Sequence, residues 1–200
     1  MQTINEDIKS GQYKKVYLLY GEESFLKQSY KKKLKEAVAG DDTMNYNYFE
    51  GKGLDVNELI SLSDTMPFFS DKRLIIIEDS GFFKTSSEAL ADYLPMIPDT
   101  TCIVFVEDGV DKRNRLFKKV KELGHAAEMK RQDSAQLARW AGTILAQNGR
   151  KITGSTMNLF LERTGDDMEN IRMELEKLIS YTMGSDVVTT EDVEAVTTVQ

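Results

Sequence analysis

The chain has 200 residues, a formal net charge of −7, 40% hydrophobic and 30% charged residues, and only 3 Pro and 1 Cys. Its length supports a real core and fits one domain plus a smaller one, while the composition excludes a disordered, fibrous or disulfide-stapled chain. The acidic balance gives no net drive for neutralising phosphates, which argues against unaided tight binding to duplex DNA.

Residues 1–7 lack the basic and then apolar run of a signal peptide, and no stretch is apolar for long enough to span a bilayer. With Cys102 alone in an apolar run, neither a disulfide nor a cysteine metal site can form, and the expected setting is cytoplasmic. The first element is a β-rich run, residues 16–20. It passes through Gly21 into residues 24–38, where Phe25, Leu26, Tyr30, Leu34 and Val38 recur at helical spacing. Residues 44–50 alternate weakly as a second strand, and Val56, Leu59, Ile60 and Ser63 outline a short helix that must stop near Pro67. A third strand over 73–78, a helix over 86–93 ended by Pro95 and Pro98, and a strand over 102–106 follow. A helix over 111–123 and a weak strand over 126–129 complete a strand–helix alternation, which predicts a parallel α/β sheet covered on both faces.

The texture changes near Asp133. Leu137, Trp140, Ala141, Ile144 and Leu145 form one helical stripe, closed by Asn148 and Gly149 as a C-cap. Met157, Phe160 and Leu161 form a second stripe; Ile171, Leu175, Leu178 and Ile179 form a third. Residues 189–196 form a short helix opened by Thr189 with Asp192 three residues on. The predicted division is an α/β domain over 1–132 and a small all-α domain over 133–200.

In a parallel α/β sheet the turn after the first strand is where phosphate chemistry is sought. Here it reads Gly21, Glu22, Glu23, Ser24, Phe25, Leu26, Lys27, Gln28. Against the P-loop pattern of Gly, four residues, Gly-Lys-Ser/Thr, Gly21 and Lys27 survive, Leu26 replaces the second glycine and Gln28 replaces the magnesium-binding hydroxyl. Glu22 and Glu23 place negative charge where triphosphate oxygens would lie, a repulsion on the order of a few kcal/mol in a shielded site; their alternative role is simply to favour a helix amino terminus. Either way ATP binding is disfavoured and no cofactor is expected.

Glu78-Asp79 and Glu107-Asp108 end later strands, so a magnesium-dependent hydrolase using those carboxylates is a competing reading. No nearby histidine or nucleophile completes such a site, and His125, the only histidine, reads as structural. No catalytic residue is assigned. The basic pairs Lys72-Arg73 and Lys112-Arg113 read as solvated turn or helix-start residues beside Asp71 and Asp111.

Met66, Pro67, Phe68 and Phe69 occupy a proline-marked loop bracketed by polar residues. Two readings are open: an exposed plug for a partner's pocket, or apolar side chains folded back over the sheet edge.

This stretch, with residues 17–23, residues 102–113 ending in Val110-Asp111-Lys112-Arg113, and residues 165–181 containing Glu174-Leu175-Glu176-Lys177-Leu178, resembles the delta subunit family of the bacterial DNA polymerase III clamp loader. The resemblance runs through nearly the whole chain. It implies an AAA+-like fold with a degenerate nucleotide site, a helical lid, and beyond Gln200 a third, collar domain that assembles the loader into a ring. It implies a non-catalytic subunit of a DNA-directed DNA polymerase holoenzyme that binds and opens the sliding clamp. ATP hydrolysis would fall to gamma/tau-type partners beside a delta prime-type subunit, with DNA met only in the assembled complex. The family's clamp contact is an apolar pair that maps onto Phe68 and Phe69, flanked by Met66 and Pro67. Its first member is commonly leucine, so Phe68 keeps the apolar character and alters the fit.

Overall fold

The computed structural model describes residues 1–85 and 87–197. The chain divides into two compact units, Met1–Lys130 and Arg131–Gln200. The first begins with helix α1 (Gln2–Ser10), which Gly11 ends at φ 70°. There follow β1 (Val16–Tyr20), α2 (Ser24–Val38), β2 (Tyr46–Glu50), α3 (Val56–Ser63), β3 (Arg73–Glu78), α4 (Glu88–Tyr93), β4 (Thr101–Glu107), α5 (Arg115–Leu123) and β5 (His125–Glu128).

The five strands form one parallel sheet in the order β2-β3-β4-β1-β5. The strands β1, β3 and β4 are buried along their whole length, which explains why their sequences are apolar without alternation. On one face, Val16, Leu18 and Tyr20 of β1 join Ile75, Ile77, Ile103 and Phe105. These pack against Leu59 of α3, Leu90 and Tyr93 of α4, and Leu116, Phe117 and Val120 of α5. Helix α2 packs against β1, β3 and β4 and is contacted by α1. The buried Tyr17, which alternates with that first set, gives its hydroxyl proton to Asp7 of α1 at 2.8 Å. Both faces are therefore covered, as the strand–helix alternation predicted.

Several boundaries move. Helix α1 was not predicted, because Ile4 and Ile8 are its only large apolar residues. The helix predicted from 111 begins at Arg115, where the Asn114 side chain accepts from the Leu116 amide and so caps it. The start of the helix predicted over 86–93 falls on Ser86, outside the described residues, and α4 opens at Glu88.

The second unit contains α6 (Ser134–Gln147), β6 (Lys151–Ile152), α7 (Gly154–Thr164), α8 (Met168–Tyr181), β7 (Val187–Val188) and α9 (Thr190–Val196). Leu137, Ala141, Leu145, Met157, Phe160, Ile171, Leu175, Leu178 and Val193 are buried, while Trp140, Ile144, Leu161 and Ile179 of the predicted stripes are partly buried. Reciprocal capping boxes open α6 at Asp133 and α9 at Thr189. The all-helical expectation is corrected by the parallel pair β6 and β7. Two-residue strands carry no periodicity by which a sequence could announce them.

Candidate functional site

Two loops of the first unit carry the residues singled out by sequence, and they lie at opposite edges of the parallel sheet. The loop after β1 is at the carboxyl edge, beside the end of β4. The connection from β1 leaves through α2 on one face, that from β4 through α5 on the other, so this is the switch point where α/β sheets bind ligands.

The structure fills that switch point with the protein's own groups. The Gly21 amide donates to the Glu107 carbonyl at 3.3 Å, and the Glu23 amide to the Met129 carbonyl at 3.0 Å. The Phe25 amide donates to the Glu23 side chain at 3.2 Å, making Glu23 the N-cap of α2, which is the helix-start role open to it from sequence. Backbone amides that cradle phosphate in a working loop are thereby engaged. Gly21 itself sits at φ 124°, and a Cβ there would overlap the Met129 carbonyl, so this glycine is required by its packing against the chain after β5.

The side chains follow the same pattern. Leu26 is buried in the apolar layer. The Lys27 side chain, 4% exposed, is ion-paired with Asp108, and that pairing holds the Asp108 carboxyl below its ordinary value. Gln28 donates to Glu78 at 2.6 Å, so the position of the missing hydroxyl ties α2 to β3. Lys31 at 2.6 Å and Tyr48 at 2.9 Å complete the shell around Glu78. Burial pushes the Glu78 carboxyl up, but the hydrogen bonds from Lys31, Gln28 and Tyr48 outweigh it and leave the group below its usual range. Glu22 is exposed.

Glu107 differs: burial raises it against the opposing hydrogen bond from Ser80. Glu78, Glu107 and Asp108 are thus each committed to separate partners, while Asp79 is exposed. Among the described residues, no three or more His, Cys, Asp or Glu side chains gather to hold a metal ion. His125 lies partly buried on β5, and burial lowers its pKa. Cys102 is fully buried on β4, its thiol pushed up to about 12 by that burial.

At the amino edge, between α3 and β3, the arrangement is reversed. Met66 is 71% exposed, Phe68 55% and Phe69 94%, with Pro67 half-buried beside them. The two Phe rings meet edge to face with centroids 4.3 Å apart. These side chains are exposed rather than folded back over the sheet edge. Beneath these side chains the backbone is bonded at both ends. The Phe68 amide donates to Asn45 Oδ1 at 2.7 Å, and Asn45 Nδ2 donates to the Phe68 carbonyl at 2.8 Å. Arg73 donates through Nε to the Thr65 carbonyl at 3.1 Å and through Nη2 to the Met66 carbonyl at 3.4 Å. Phe69 adopts φ 52°, a left-handed backbone that costs a bulky residue on the order of 1–3 kcal/mol.

The sequence reading of Lys72-Arg73 as solvated needs correction at Arg73, which is buried because its guanidinium satisfies loop carbonyls and Asn47 at 3.1 Å. Lys112 pairs with Glu128 at 3.1 Å and Arg113 with Asp111 at 3.0 Å, both at the surface as expected. Asn45 was missed. Its only sequence signal is a short polar residue just before a strand, which is common in turns of every kind.

Residues 17–130 match the family described as DNA polymerase III, delta subunit. The chain is 21% identical over 201 residues to DNA polymerase III subunit delta of Bacillus subtilis, covering 94% of this chain and 58% of that one. It is 23% identical over 194 residues to the probable DNA polymerase III subunit delta of Aquifex aeolicus, covering 91% and 54%. The chain therefore spans little more than half the length of these curated relatives. Among solved structures, the Bacillus subtilis DNA clamp loader delta protein superposes with a TM-score of 0.79 at 20% identity, over 100% of this chain and 62% of that one. A single-residue variant of Thermotoga maritima RuvB superposes with a TM-score of 0.55 at 13% identity, over 98% and 65%. These likenesses place the fold among AAA+-like architectures.

Proposed function

Because the chain belongs to the DNA polymerase III delta subunit family of clamp loaders, we propose that it grips the ring-shaped sliding clamp through Met66, Pro67, Phe68 and Phe69 and helps open the ring without hydrolysing ATP itself. The observation that carries this reading is the exposure of two adjacent Phe side chains on a loop whose backbone is held from below. A Phe moved from water into a partner's pocket contributes about 1.5–3 kcal/mol, so this pair can dominate an interface.

No bond is made or broken. A loop that fits the opened or strained clamp better than the closed one shifts the ring's equilibrium by its difference in affinity. The switch-point loop supports the absence of ATP chemistry, since its amides and Lys27 are engaged by Glu107, Met129, Glu23 and Asp108. Nucleotide-driven steps then belong to partner subunits of the gamma/tau type, with delta prime-type subunits and DNA joined in the assembled loader, in a cytoplasmic setting.

A titration of the chain against the sliding clamp of the same bacterium tests the proposal. Phe68→Ala combined with Phe69→Ala is expected to weaken binding by roughly a hundredfold or more, with the thermal midpoint unchanged. Equal affinity of wild type and double variant refutes the assignment of this loop.

A further inference from the structure

The exposed loop is fixed by two side chains that lie beneath it, and we propose that Asn45 and Arg73 are positioning residues that preset Phe68 and Phe69 in the shape the partner accepts. This rests on the reading of the loop as the clamp contact. Asn45, 1% exposed, comes from the turn before β2, and its amide engages both backbone groups of Phe68, as a neighbouring strand would. Asp42 sets the orientation of that amide: its Oδ2 accepts from Asn45 Nδ2 at 2.7 Å. A flipped amide would set oxygen against both the Asp42 carboxylate and the Phe68 carbonyl. Arg73, 6% exposed, holds the carbonyls of Thr65 and Met66 on the other side of Pro67.

Three features point to presentation as the purpose of these bonds. The bonded groups are all backbone atoms of the loop, so the latch is indifferent to what the side chains touch. The Phe69 backbone is strained, and strain of this kind persists only where the surroundings over-determine it. Two adjacent Phe on a free loop would gain by folding onto apolar surface, yet here they stand in solvent. A loop already in its bound shape spares the ordering cost of association. Without the latch only a fraction of molecules is competent at any instant, and the apparent affinity falls by that fraction.

The experiment uses the 200-residue chain, the sliding clamp of the same bacterium as probe, and rapid-mixing kinetics. Asn45→Ala is expected to slow association roughly tenfold and Asp42→Ala roughly threefold, with dissociation and binding stoichiometry unchanged. Asp42 is only partly buried, so Asp42→Ala keeps the test alive if Asn45→Ala fails to fold. Hydrogen exchange at the Phe68 amide is expected to be slow in the wild type and to accelerate in both variants, independently of any clamp. The proposal is overturned if that exchange is unchanged. It is also overturned if both variants associate at the wild-type rate while Phe68→Ala with Phe69→Ala abolishes binding, or if the association rate is unchanged and only the stoichiometry at saturation falls, the mark of a merely structural role. A wild-type chain that does not bind clamp at all removes the functional reading itself, and this inference with it.

Discussion

The loop after β1 and the loop before β3 have received opposite treatment from the same sheet. At the carboxyl edge, where α/β proteins place their ligands, amides, lysine and carboxylates have turned inward onto one another. At the amino edge, where such proteins seldom bind anything, polar groups converge under a loop and leave its apolar side chains outside. Under the proposed reading, the architecture keeps its shape while its working surface moves to the far end of the strands.

The contrast is most easily broken at Gly21. If the first loop keeps this glycine only to pack against Met129, replacing it is a stability defect and nothing more. Gly21→Ala forces a Cβ into the Met129 carbonyl at a φ that L residues avoid, and is expected to cost about 3 kcal/mol in urea unfolding. Clamp affinity of the molecules that remain folded should be unchanged. A variant as stable as wild type would show that the loop is loose, and that its closed state is not built in.

This residue also shows what a sequence can and cannot tell. Gly21 was legible as a turn after a strand, and the strands β1, β3 and β4 were legible because burial on both faces makes them continuously apolar. The failure of the phosphate motif was legible too, at Leu26 and Gln28. What replaced it was not, since the partners Glu107, Asp108, Glu78 and Met129 are brought to the loop only by sheet order. The exposure of Phe68 and Phe69 was undecidable for the same reason: it depends on Asn45, 23 positions away, and on Arg73, whose neighbour Asp71 made it look solvated.

A second test uses the two strand-end carboxylates. Glu78 lies below its unfolded value, because hydrogen bonds from Lys31, Gln28 and Tyr48 outweigh its burial. Its contribution is therefore complete above the unfolded pKa of about 4.3 and is lost as pH falls through the folded value. Glu78→Gln should cost about 2 kcal/mol near pH 7, with the gap to wild type closing as the pH is lowered below about 4. Glu107 is shifted the other way by burial, so its ionisation opposes folding as pH rises. The Glu107→Gln variant should accordingly gain on wild type between about pH 4 and pH 7. Parallel pH profiles for both variants would contradict the assignment of opposite environments to the two strand ends.

The smallest expected effect is the most informative about function. In a working phosphate loop the lysine is indispensable because its charge meets the nucleotide. Here the Lys27 side chain is 4% exposed and its partner Asp108 is 75% exposed, so the pair costs one side chain its hydration while the other stays largely in water. Removing one member of a buried ion pair is costly when the other is left buried and uncompensated, and Asp108 is not. Lys27→Met keeps the packed stem, frees Asp108 to hydrate, and should change stability by no more than about 1 kcal/mol. It should leave clamp binding as it was, and neither wild type nor variant should take up Mg-ATP in a calorimetric titration. If the wild type binds Mg-ATP and Lys27→Met abolishes it, the first loop is a nucleotide site after all, and the contrast between the two edges of the sheet collapses.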